Sequence, residues 1–292
     1  MSKSHEHKIV RQVRDRVGKN WSLASKTIQK RLANLKAIGK FMAMRQGLNN
    51  ITDMKTKHVD AYVRHLREEL QLAPSTLQGY VTALRILARA IGKAHIVKSN
   101  SELGATRPNT DRYKNCETPS DMGMLSNIKA ALYARNPWQG AAFEMQEHFG
   151  LRLKESIGKH RVEQIDGKQY LLVTAGFAKN SLERRIEIVT NEQLAILDKV
   201  NAIKAAQGSF GLIPANLSLK QGYDKQVNTI RSLGGTKANH ANSHCLRREY
   251  VRDEYADIKK MSDKVVRNTA EEKLTKEIGH FDTGKIRHYS KK

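Results

Sequence analysis

The sequence predicts a mainly α fold with a small antiparallel β-sheet, arranged as an N-terminal helical domain followed by an α+β domain. Three observations lead there. Apolar residues recur at steps of three and four along most of the 292-residue chain. One stretch, from Val162 to Val189, changes to strand-like alternation around an Asp166-Gly167 turn. Between the two helical runs, Lys93 to Glu117 loses its periodicity and contains the turn-prone Arg107-Pro108-Asn109, which marks a boundary. The expected divisions are a basic N-terminal segment, 1–20, a helical domain, 21–110, and a second domain, 111–292.

Residues 1–20 carry Lys8, Arg11, Arg14 and Arg16 and read as a frayed start or a short arm. From Trp21 a helical period begins, with Ile28, Leu32, Leu35, Ile38 and Met42 on one stripe until Gly47 and Asn49-Asn50 end it. A second helix, from about Lys57 to Leu70, turns Val59, Val63, Leu66 and Leu70 inward. Pro74-Ser75 opens a third, with Leu77, Val81, Leu84, Leu87 and Ile91 as its stripe and Gly92 as its stop.

In the second half, Thr118-Pro119-Ser120-Asp121 is a helix start, and Leu125, Ile128 and Leu132 follow at helical spacing. Pro137 starts another helix, which Gly150 ends. Gly150-Leu151-Arg152-Leu153-Lys154-Glu155 comes next. An arginine between two leucines is not a simple surface charge, and Glu155 is placed to hold its guanidinium. Val162–Ile165 and Tyr170–Val173 read as a hairpin, and Arg185–Val189 as a third strand, with Lys179 at the tip of the turn before it. Helices resume at Asn191 and at about Leu219. Ser243 caps a further helix on which His244 and Arg247, at i and i+3, share a face.

Composition narrows the partner. Lys and Arg number 52 against 29 Asp and Glu, a formal charge of +23 spread over both halves. Such a surface attracts polyanions, and double-stranded DNA is the default. A ribosome-associated or membrane-surface protein is the blander reading of the same charge. No apolar run approaches the length of a spanning helix, and no secretory signal opens the chain. Cys116 and Cys245 stand far apart without a CxxC pattern, which fits reduced thiols in the cytoplasm. Zinc spacing, a carboxylate cluster for another metal and a glycine-rich phosphate loop are all missing, so no cofactor or metal is expected.

Near the end, Gly279-His280 precedes Tyr289 by nine positions. In order, Gly150-Leu151-Arg152 with Glu155, then His244-Cys245-Leu246-Arg247, then Gly279-His280 with Tyr289 resemble the tyrosine recombinases of the phage-integrase type, and Lys179 lies in the turn where that family carries its lysine. The resemblance covers the second half; the first agrees only in type with the family's helical core-binding domain. It implies a site-specific DNA recombinase that cuts and rejoins strands through a 3′-phosphotyrosine, in integration, excision or resolution. Tyr289 would be the nucleophile, Arg152 and Arg247 the phosphate clamp, His244 a base or phosphate donor, His280 a further donor and Lys179 the general acid.

The chemistry agrees with the residue types. A phenol can hold the broken phosphodiester as a covalent ester, two planar guanidinium groups match the charge that builds on its oxygens, and an amine can protonate the leaving oxygen. The implied assembly is a tetramer on two DNA sites, possible accessory factors include a DNA-bending protein, and the setting is a bacterial or phage-encoded, nucleoid-associated cytoplasmic protein. Topoisomerase-like nicking and a non-catalytic DNA-binding regulator are the alternatives. The charged stretch from about Lys259 to Lys276 departs from the family pattern, and only Ser290, Lys291 and Lys292 follow Tyr289, so that stretch is the candidate for coupling subunits.

Overall fold

A computed structural model describes residues 3–18, 25–107, 118–178, 182–279, 283–284 and 286, with the side chains of 25 and 26 excepted. The chain forms two compact units, 1–112 and 113–292.

In the first unit, α1 (Lys3–Val17) packs against α2 (Ser25–Met44), followed by α3 (Thr56–Arg64) and α4 (Pro74–Ala90). The segment read from sequence as a frayed start or a short arm is a helix of this core rather than frayed, with Ile9 and Val13 fully buried. Its valines explain this. Gly39 of α2 has no side chain, and a Cβ there would sit 3.2 Å from Val10, so the two helices approach closely along that line. Docking α1 here sets which face of α2 is inward: Leu35, Ile38 and Met42 are buried as expected, whereas Leu32 is exposed.

The second expected stripe also loses its last member. α3 runs into a π-turn, His65–Glu69, and this wider turn shifts the helical phase. Leu66 stays inward and Leu70 swings out to half exposure. The stripe of α4 is buried from Leu77 to Leu87, with Ile91 packed against the same core. Part of the aperiodic segment after it also belongs to that core, because Ile96, Leu103 and Ala105 are buried there.

The second unit is built around α6 (Pro137–Phe149), which touches α5 (Met122–Arg135), α8 (Asn191–Ala206) and α10 (Ser243–Lys260). Trp138, Phe143 and Phe149 of α6 are almost completely buried. Each such side chain contributes roughly 1.5–3 kcal/mol by leaving water. The buried Gln139 side chain donates to Gln226 Oε1 at 2.9 Å, and Gln226 Nε2 donates to the Gln139 backbone carbonyl at 3.0 Å, which joins α6 to α9 (Leu219–Ser232).

The strands are β1 (His160–Ile165), β2 (Lys168–Val173) and β3 (Arg184–Glu187), antiparallel in the order β1-β2-β3. Leu171 pairs across to Ile186 and both are buried against the helices. The β1–β2 turn has positive φ at Asp166 (49°) and Gly167 (76°), the conformation that a two-residue hairpin turn requires.

The charged stretch that the sequence offered as a subunit coupler is α11 (Lys264–Glu277), capped by Asp263 and packed on α10 and β3. Glu271, Leu274 and Thr275 are buried, and Leu274 and Ile278 share a cluster with Val251, Tyr255 and Ile258 of α10. Only this inward edge is buried; the first turns, with Val265 and Val266, face solvent, so the stretch is a surface helix anchored to the second unit through its last turns.

Candidate functional site

The site assembles where the ends of three helices meet. α6 stops at Gly150, which adopts φ 56°, and a Cβ at that position would collide with the ring of Tyr250. The chain then turns at once into the short helix α7 (Leu153–Ser156), and Arg152 stands at its N-terminus. Glu155 reaches back to accept the backbone N–H of Arg152 at 2.8 Å, while its other oxygen accepts Arg152 Nη1 at 3.0 Å. The pairing expected from the spacing of these two residues is present, and it orients the guanidinium.

Arg247 lies on the first turns of α10 with 1% of its surface exposed. Its Nη1 donates to the carbonyl of Gly150 and its Nη2 to that of Ile278. These are the C-terminal ends of α6 and α11, where carbonyls without helical partners carry negative partial charge. The helix is capped by Asn242, whose side chain accepts the His244 N–H at 3.0 Å, in place of the expected Ser243.

A third arginine joins them. Arg184, at the start of β3, is 8% exposed and forms a two-pronged pair with Glu155, Nη1 to Oε1 at 3.1 Å and Nη2 to Oε2 at 2.6 Å. Its Nε donates to the Glu277 carbonyl at 2.6 Å. Arg152 Nη2 donates to the Gly279 carbonyl at 3.4 Å. Three arginines from three elements therefore hold three consecutive carbonyls, 277, 278 and 279, at the end of α11. Gly279 has φ 64°, and a Cβ there would lie 3.3 Å from Arg152 Nη1 and 3.4 Å from Arg184 Nη1, so glycine suits both the turn and the crowding. The sequence reading missed Arg184. Strand alternation was the available signal, because Arg184 and Ile186 point to the same, inward face.

His244 sits at the open side of this cluster, with its ring reaching solvent and protein around most of it. That packing, then the charges of Arg247, Arg248, Arg152 and Lys237, push its pKa down to about 4. The imidazole is neutral at pH 7 and can accept a proton. His160, behind Glu155, makes a 3.2 Å contact from Nε2 to the Glu155 carbonyl, and its burial also lowers its pKa to about 4.

Of the six residues singled out in the sequence, Arg152, His244 and Arg247 converge on this site; Lys179, His280 and Tyr289 lie outside the described residues. The stem of the turn that leads to 179 is tied to α7: Lys154 Nζ donates to the Gly176 carbonyl at 2.9 Å, and the Phe177 ring packs on Gly158. Lys168, the other lysine of the sheet, pairs with Glu187 at 2.9 Å. Cys245 is a buried free thiol among apolar side chains, as expected, and Cys116 falls outside the described residues.

Residues 8–97 match the family model for the N-terminal domain of phage integrases. The XerH site-specific recombinase, solved with its difH substrate in a pre-cleavage complex, aligns over 99% of this chain and 81% of its own, at 14% identity and a TM-score of 0.58. The chain shares its fold with this recombinase. A lambda integrase dimer on a COC′ core site aligns over 92% of this chain and 72% of its own, at 17% identity and a TM-score of 0.59. A lambda integrase tetramer on a Holliday junction aligns over 96% of this chain and 75% of its own, at 17% identity and a TM-score of 0.54. No curated protein sequence matches. At these identities the likeness carries the recombinase fold, and the roles of single residues rest on the geometry above.

Among the described residues, no cluster of three or more His, Cys, Asp or Glu is placed to hold a metal ion. No helix there is long and apolar enough to cross a membrane.

One acidic group beside the site yields a pH prediction. Burial raises the Glu277 carboxyl to about 7, against the attraction of Lys273 and the Glu187 N–H, with Glu254 of α10 and Glu187 of β3 adding repulsion. Lys168 of β2 faces the same group through Glu187. A raised carboxyl binds its proton more tightly when folded, so the protein loses stability as pH rises from about 4.5 through 7. Glu277→Gln mimics the protonated form. Urea unfolding at pH 8 is expected to show the variant more stable than the wild type, by up to ~3 kcal/mol, with the two converging near pH 4.5.

Proposed function

We propose that the protein is a site-specific DNA recombinase that breaks and rejoins strands through a 3′-phosphotyrosine at Tyr289. The observation that carries this reading is the convergence of Arg152, Arg184 and Arg247 on carbonyls 277–279, with His244 at the open side, immediately ahead of the segment that leads to His280 and Tyr289. Three arginines and one buried carboxylate leave the site strongly positive. A scissile phosphate brings the missing negative charge, and Arg152 and Arg247 stabilise the further charge that develops on its non-bridging oxygens.

In the step itself the Tyr289 oxygen bonds to phosphorus and the bond from phosphorus to the 5′ oxygen breaks. The phenolic proton passes to His244, which is neutral beforehand and whose proton affinity rises when the phosphate offsets the cations around it. Lys179 delivers a proton to the departing 5′ oxygen, and His280 donates to the phosphate. The ester conserves the energy of the broken bond, so attack by a 5′ hydroxyl reverses the step without a cofactor. The +23 charge supports contact with double-stranded DNA. We place the enzyme as a tetramer on two DNA sites in the cytoplasm, with an accessory DNA-bending protein as a further possible partner.

The test is incubation with nicked target DNA followed by denaturing electrophoresis, wild type beside Tyr289→Phe. Wild type is expected to give a protein–DNA band that the variant lacks. If the wild type gives none on its own site, the protein is a DNA-binding regulator. Joining two sites into a four-way junction then separates recombination from simple nicking.

A further inference from the structure

We propose that Arg184 is a positioning residue that keeps the charge of Arg152 from being fully compensated, and so available to the phosphate, by sharing its counter-ion. The inference rests on the recombinase reading above and extends it to a residue of β3 outside the six named from the sequence. Glu155 is almost fully buried, and both of its oxygens are occupied twice: Oε1 by Nη1 of Arg152 and of Arg184, Oε2 by Arg184 Nη2 and the Arg152 N–H. Two guanidinium groups thus share one carboxylate, and the triad keeps one positive charge. The shorter prong, 2.6 Å, belongs to Arg184.

The division of labour follows from exposure. Arg184 has a side chain 7% exposed and makes its contacts inward, to Glu155 and the Glu277 carbonyl. Arg152 is 23% exposed and is the member of the triad that a ligand can reach. Without Arg184, Glu155 would hold Arg152 alone, neutralise it and draw it inward. The Glu277 carbonyl would also lose its donor, loosening the end of α11 that Arg152 grips at 279 and Arg247 at 278.

Charge arithmetic makes this testable. Arg184→Met leaves the triad neutral. Adding Glu155→Gln to that variant restores one positive charge, although it removes a second native group. A merely structural role for Arg184 would make the double variant worse than the single one.

The experiment measures the rate of covalent adduct formation on nicked DNA for wild type, Arg184→Met, Arg184→Lys and Arg184→Met/Glu155→Gln. In parallel, each protein is melted with and without inorganic phosphate. Arg184→Met is expected to slow the adduct by about 10²-fold and to lose the stabilisation by phosphate. The double variant is expected to regain about tenfold in rate and part of the phosphate effect. Arg184→Lys keeps the charge without the fork and should fall between wild type and the Met variant, which keeps the inference readable if the Met variant does not fold. A double variant no faster than Arg184→Met, or a Lys variant no better than the Met variant, overturns it. Absence of an adduct in the wild type overturns the recombinase reading instead, and the phosphate melts then decide the role of Arg184.

Discussion

Arg247→Ala is expected to cost about 3–5 kcal/mol of stability and to slow DNA cleavage by at least about 10²–10³-fold. Two independent physical terms combine in this one side chain. Its guanidinium satisfies the Gly150 and Ile278 carbonyls, which terminate α6 and α11 and have no helical partner at those ends. Each buried acceptor left unpaired costs about 1–3 kcal/mol, and the void left by so large a buried side chain adds to this. The catalytic loss is separate, because the charge that Arg247 brings to the site disappears with it. Arg247→Lys separates the two: it keeps the charge but cannot span both carbonyls in one plane. Urea unfolding and adduct formation on the same proteins check this. The lysine variant should recover part of the stability and little of the rate. An alanine variant that melts with the wild type would show that the staple holds nothing.

Glu155→Leu is expected to destabilise the second unit by about 3–5 kcal/mol at pH 7, because Arg152 and Arg184 lose their shared counter-ion in a buried setting. Its pH dependence carries the diagnostic sign. Burial would raise this carboxyl, but the Arg184 fork and the Arg152 N–H outweigh it and hold it below the usual carboxylate range. A depressed carboxyl contributes stability above its unfolded pKa, near ~4.3, and that contribution is lost as pH falls through the lower folded value. The gap between wild type and Glu155→Leu, read by urea unfolding, should therefore be widest at neutral pH and shrink below about pH 4. A gap that stays constant with pH would assign the loss to packing.

These two sites differ in how far the sequence disclosed them. Arg152 was legible because an arginine between leucines, followed at i+3 by a glutamate, is a local pattern, and helix geometry brings those two together wherever the chain folds. His244 and Arg247 were legible as one helix face for the same reason. The three-stranded sheet was readable from its Asp166-Gly167 turn and alternation. Arg184 was not, since its partners are 29 and 93 positions away and nothing near it announces them. The first helix was missed because its few apolar residues are diluted by charge; Ile9 and Val13 become a core face only when Gly39 offers a groove.

The sequence by itself determined the mainly helical class, the three strands, the order of the candidate motifs and the strong positive charge, since each depends on local periodicity, turn chemistry or composition. The tertiary structure decided that the charged stretch before Gly279 is a surface helix with one buried edge, that residues 3–17 belong to a core, and that three arginines share the end of α11. The reason is one of range. Hydrogen bonds within a helix turn repeat at fixed spacing, whereas a guanidinium can satisfy any carbonyl or carboxylate that packing brings within about 3 Å of it.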